Sequence, residues 1–133
     1  MRPVAASLEA ATIRELAEHY AGLLPAQSVP GDPGAIERGQ AIAHRGIPSQ
    51  SVPSCADCHG PGDTRRNAAY PRLAGQHADF LVLQLELFEH DRRGGSAYAS
   101  LMRPIAARLT PEQMRDAAAY YASLSPEAPD ASK

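Results

Sequence analysis

Cys55-Ala56-Asp57-Cys58-His59 places two thiols three positions apart, with an imidazole directly after the second. These are the only two cysteines in the 133-residue chain, so no disulfide scaffold is available and their chemistry has to be local. The spacing suits covalent attachment of haem. Two thiols on one helical turn reach the two vinyl groups on one edge of a porphyrin and add across them as thioethers, and the next residue sets an imidazole nitrogen on the iron. Two other chemistries use the same pair. A dithiol redox site would follow a strand and open a long helix, whereas this pair sits in a stretch rich in Pro and Gly with no βαβ pattern around it. A structural zinc ion needs four ligands, usually a second Cys or His pair at short spacing, and His19, His44, His77 and His90 are scattered singly. Haem is favoured, with zinc and a dithiol site as the alternatives.

The remainder of the chain reads as all-α. Prolines and glycines gather in 25–34, 46–62 and 94–95, and between them Ala, Leu, Glu, Gln and Arg predominate. Runs of Val, Ile and Thr that would build a sheet are missing. Residues 8–24 predict a helix with a stripe of Ile13, Leu16, Ala17 and Tyr20, followed by a linker over 25–31. A second helix is expected from Asp32 as N-cap and Pro33 at the first helical position to about Arg45. Residues 46–76 read as loop with one helical turn at Cys55–His59. A third helix covers roughly 77–90 and is apolar on nearly all sides, which calls for burial on more than one face. The last helix opens with Thr110-Pro111-Glu112-Gln113, a capping-box pattern, and carries Met114, Ala117, Ala118 and Tyr121 as its stripe. Residues 126–133 read as a frayed tail.

The chain also repeats itself. Residues 1–23 align without gaps to residues 102–124, with eleven identities in twenty-three positions. Met1-Arg2-Pro3, Leu8, Arg14, Tyr20 and Leu23 recur as Met102-Arg103-Pro104, Leu109, Arg115, Tyr121 and Leu124, and the apolar stripes superpose. The first 24 residues are expected to be the end of a preceding unit, and residues 32–125 a whole one. The apolar stripe of the first helix should then pack on residues 32–125 or exchange with a second copy as a homodimer.

A net charge of −2 with interspersed signs gives no basic face for nucleic acid. No apolar run approaches the ~18 residues of a membrane span, so membrane association is expected only through a partner. No signal peptide is visible, and an export signal would lie outside this sequence.

CADCHGPG, then YPRLAGQ, then a methionine about forty residues past the motif together resemble class I cytochromes c, most closely the cytochrome c4 group, whose members often carry two haems. The resemblance covers about residues 32–125. It implies helices wrapped around one covalent haem c, with the helix at 8–24 as an addition. It also implies that His59 is the proximal iron ligand and Met102 the distal one, a soft thioether that favours reduced iron. The Pro71 carbonyl would accept a hydrogen bond from the axial imidazole, fixing its tautomer. Leu73, Phe80, Leu81, Leu85 and Leu109 would wall the crevice, and Tyr70, Arg92 and Arg93 are candidates for the haem propionates. With both axial positions filled, the function implied is single-electron transfer in the periplasm between redox proteins that dock transiently, not enzyme catalysis. A haem subunit of a dehydrogenase or reductase, and a haem sensor with an open sixth site, are the alternatives.

Each residue also has a plainer role. A methionine near apolar sequence is usually core filler; Met114 fits that on its helix stripe, whereas Met102, before Arg103-Pro104, is expected in a loop. His77 or His90 is the rival sixth ligand, and His19 and His44 are expected to face solvent. Two features depart from the family pattern. Gly39 stands where the first family helix packs on the last, but the position four residues on is Ala43 instead of an aromatic. Residues 46–54 also lengthen the approach to the motif. Both bear on how the first helix packs against the last.

Overall fold

The computed structural model describes residues 2–23, 31–60, 70–93 and 99–126. Among them are seven α-helices: α1 (Arg2–Ala6), α2 (Ala10–Ala21), α3 (Pro33–Arg45), α4 (Ala56–His59), α5 (Ala78–Glu89), α6 (Ala99–Ala106) and α7 (Pro111–Ser123). A single 3-10 turn spans Pro48–Gln50, and the only extended pairing among the described residues is an isolated bridge between Ile47 and Val52. The all-α expectation holds. Apart from Gly31 and Pro126, the linker at 25–31 and the tail at 126–133 lie outside the described residues.

The two long helices of the haem unit are set by their ends. The Asp32 carboxylate accepts the Ala35 N–H at 2.8 Å, and Pro33 occupies the first turn of α3, where a missing N–H costs nothing. Gly46 ends the helix at φ +64°, against the Val52 and Pro53 backbone. Thr110 and Gln113 form the capping box at the start of α7: the Thr110 hydroxyl accepts the Gln113 N–H at 3.2 Å, and the Gln113 side chain accepts the Thr110 N–H at 2.8 Å.

The crossing of α3 and α7 is the most extensive helix contact among the described residues. Gly39 makes it possible, because a Cβ there would collide with the Asp116 carbonyl. Ala43 is fully buried at the same crossing, and Tyr120 and Tyr121 pack in its cluster, 5% and 2% exposed, with their rings 5.3 Å apart. The aromatic bulk absent from position 43 is thus supplied by α7. Arg38 closes the crossing through two 2.8 Å hydrogen bonds to the Asp116 carboxylate. Helix α5 packs on both α7 and α6, as its all-round apolar character requires. The loop at 46–54 joins the core too: Val52 is buried with Leu109 and Met114, and Ile47, Leu85 and Ile105 pack against them.

The helix read over 8–24 is α2, preceded across a break at Ser7–Glu9 by the separate short helix α1. Two expectations need correction. Neither α1 nor α2 packs its apolar residues on 32–125. Ile13, Leu16, Tyr20 and Leu23 are 49%, 41%, 68% and 52% exposed, because the groove on α3 that this stripe resembles a fit for is already filled by α7. Met102 lies within α6 and not in a loop. Pro104 removes only one helical hydrogen bond, to the exposed Ser100 carbonyl, and the helix continues through the Ala107 N–H to Arg103 carbonyl bond at 3.0 Å.

Replacing Gly39 with Ala forces a methyl into backbone and is expected to cost about 1–3 kcal/mol. It should appear as a lowered thermal midpoint; an unchanged midpoint would contradict the close approach. Thr110→Ala removes one partner of the capping box and should cost about 1 kcal/mol in urea unfolding with the slope unchanged.

Candidate haem-binding site

The Cys-x-x-Cys-His segment forms the turn expected of it. Cys58 and His59 both direct their N–H groups to the Cys55 carbonyl, at 3.2 and 2.9 Å, and Gly60 leaves the turn at φ +73°. Ser54 fastens this turn to the fold. Its hydroxyl donates to the Ala43 carbonyl at 3.0 Å and accepts the Asp57 N–H at 3.3 Å. Sequence reasoning passed over Ser54, although a serine three residues before Asp57 at the start of a helical turn is an N-cap signal.

Cys55 is half-buried and Cys58 exposed, and no disulfide joins them. Burial pushes the Cys55 thiol up to about 11. That is the reverse of a dithiol redox site, where the attacking sulfur is held as a thiolate. A zinc cage is unsupported as well: no group of three or more His, Cys, Asp or Glu side chains able to hold a metal occurs among the described residues.

His59 is 7% exposed, and its Nδ1 lies 2.8 Å from the Pro71 carbonyl oxygen. A carbonyl can only accept, so Nδ1 carries the proton and Nε2 keeps its lone pair for a metal. Burial lowers the His59 pKa and so favours the neutral, ligating form, while the hydrogen bond to Pro71 acts the other way. Tyr70 meets the imidazole edge-on, with ring centroids 6.0 Å apart. The 70–76 segment is held in turn by α7, through the Gly75 N–H to the Tyr121 carbonyl at 2.9 Å. Gly75 has φ +75°, and a side chain there would strike Pro126.

The chain has three methionines. Met1 is outside the described residues, and Met114 is 1% exposed and locked in the core, as its stripe position implied. Met102 is half-buried on α6. His77 and His90 are exposed at the two ends of α5, and His44 is an exposed residue bonded to the Tyr120 hydroxyl at 2.8 Å. The expected crevice residues divide. Leu73 is half-buried and packs, with Cys55 and Val82, against the cluster at the α3–α7 crossing. Leu85 packs beside Ile105. Leu81 is buried in the cluster with Ala43, Ala118, Tyr120 and Tyr121, and Leu109 is buried with Val52 and Met114. Phe80, Leu83 and Leu101 are 46%, 49% and 47% exposed, leaving apolar surface on α5 and α6 open to an apolar group. Val82 and Ile105, which the sequence did not distinguish from other core aliphatics, pack beside Leu73 and Leu85 against the same two clusters. Arg93 stacks on Phe88, 4.6 Å from the ring centroid.

The donor set fits a covalent haem: two thiols on one turn, an imidazole with its proton on Nδ1 and a half-buried thioether on α6. Comparison with known proteins agrees. The family model described as Cytochrome c matches residues 36–125. A relative named cytochrome c-552, from Acidithiobacillus ferridurans, is 36% identical over 93% of this chain and 52% of its own length. Among solved structures, cytochrome c4 of Acidithiobacillus ferrooxidans superposes with a TM-score of 0.74 at 36% identity, covering 93% of this chain and 70% of that one. Thiosulfate dehydrogenase from Marichromatium purpuratum superposes with a TM-score of 0.74 at 35% identity, over 92% of this chain and 26% of that one. The chain spans about half the length of the first of these relatives. With the motif, the fold and the matched span in agreement, the chain belongs to the cytochrome c family.

Proposed function

We propose that the chain carries single electrons between redox proteins through one haem c held by Cys55 and Cys58, with His59 and Met102 as axial ligands. The observation that carries this reading is the 2.8 Å contact from His59 Nδ1 to the Pro71 carbonyl, which leaves Nε2 as the ligating nitrogen directly after the two thiols. Such a haem supplies an iron that gains and loses one electron. The chain's own part is to anchor the two thioethers on a turn tied to α3, to fix the proximal imidazole, and to present the thioether of Met102 from α6. Leu73, Val82, Leu85 and Ile105 offer the aliphatic surface that keeps water from the crevice.

Thioether attachment of haem takes place outside the cytoplasm, so the proposed location is the periplasm. No helix among the described residues is long and apolar enough to cross a membrane. The likeness to a thiosulfate dehydrogenase favours, as a second reading, a haem module that passes electrons within such an enzyme complex.

Residues 1–24 fit the end of a preceding unit. The α1–break–α2 arrangement matches the end of α6, the break at 107–110 and α7 at the same register, and the relatives continue well beyond this chain's length. A preceding unit suits the exposed stripe better than helix exchange between two copies. Leu16 stands where α7 has the buried Ala117, so an exchanged α2 would bring a leucine into a space sized for a methyl group.

The ligand assignment is tested by Met102→Ala. The oxidised wild-type protein should show the weak far-red band of methionine-ligated haem, and the variant should lose it and fall in reduction potential. A band that persists in the variant rules Met102 out, and a wild-type protein that binds added ligands without displacing anything favours an open-site sensor.

A further inference from the structure

The residue before Pro71 touches the same imidazole. The Tyr70 ring lies edge-on to His59, centroids 6.0 Å apart and planes at 64°, a geometry that aromatic quadrupoles favour. The Pro71 and Tyr70 contacts restrain different motions. The hydrogen bond to Pro71 fixes which nitrogen is protonated and draws one edge of the ring toward the 71 carbonyl. The Tyr70 ring adds a contact to the body of the imidazole that the hydrogen bond at Nδ1 does not supply. Both groups come from consecutive residues of one segment that is tied to the rest of the fold. Gly75 donates to the Tyr121 carbonyl at 2.9 Å, Gln76 donates to the Leu73 carbonyl at 3.1 Å, and Leu73 packs against the cluster that contains Tyr120 and Tyr121.

The rotation of an axial imidazole decides which iron d orbital its π system meets, and hence the relative stability of the oxidised and reduced states. We infer that Tyr70 is a positioning residue: its ring, as distinct from its hydroxyl, fixes the rotation of the His59 imidazole and through it the redox balance and electronic anisotropy of the iron. This rests on His59 being the axial ligand. It differs from a propionate contact, which would require the hydroxyl.

The test uses the full haem-loaded chain as wild type, Tyr70→Phe and Tyr70→Leu, with low-spin electron paramagnetic resonance of the oxidised protein and potentiometric titration. Tyr70→Phe keeps the ring and should reproduce the wild-type g-values and potential. Tyr70→Leu should shift and broaden the largest g-value and change the reduced-to-oxidised ratio at a fixed potential several-fold, with the far-red methionine band retained. A leucine variant identical to wild type, or a phenylalanine variant displaced as far as leucine, would overturn the inference. Magnetisation transfer between the Tyr70 ring and the His59 imidazole protons in the reduced wild-type protein checks the contact without any variant, and its absence overturns the inference even if Tyr70→Leu fails to accumulate. Failure of the haem reading itself would look different, since no variant would then give a low-spin haem signal.

Discussion

Helix α3 crosses α7 at van der Waals contact of their backbones, and the two halves of the haem site are each tied to one of these helices. Ser54 ties the cysteine-bearing turn to the Ala43 carbonyl of α3. The Gly75 N–H ties the 70–76 segment to the Tyr121 carbonyl of α7. The hydrogen bond between His59 and Pro71 joins these two appendages. Its 2.8 Å length depends on where α3 meets α7, and so on Gly39 having no side chain. The bidentate Arg38–Asp116 pair lies at the same place, with the carboxylate side chain only 7% exposed. A planar bidentate pair adds direction to a contact that apolar packing alone would leave free to slide.

This arrangement explains why one part of the site could be read from sequence and another could not. The caps and the motif are local: Asp32-Pro33, Thr110 with Gln113, and the turn at Cys55–His59 each need only neighbours in sequence, and each forms as read. Ala43 looked like a loss because its compensation, Tyr120 and Tyr121, comes from a helix about eighty residues away. Pro104 looked like a loop marker, yet in a short helix with an exposed Ser100 its cost is one hydrogen bond that water can replace. Leu81 and Leu85 lie on the same apolar helix and are indistinguishable by type, but one packs into the α3–α7 core and the other beside Val52 and Met114.

The amino-terminal helices extend the same reasoning. Their stripe repeats that of α7, and their helix boundaries follow the repeat, but they are left exposed because α3 has one groove and α7 fills it. Glu15 stands where Asp116 stands in α7 and Tyr20 where Tyr121 stands, so the helix retains the groups that α7 uses to meet its own α3. Exposed aliphatic and aromatic surface in this register fits the proposed end of a preceding unit.

The most direct test of the account is the intact mass of the chain exported to a bacterial periplasm with the c-type haem maturation machinery, measured after denaturation and acid–organic extraction. The account predicts the mass of the polypeptide plus one haem, with the spectrum of a haem joined through two thioethers. A chain that comes through extraction at its bare mass, or that carries zinc and no haem, would contradict it.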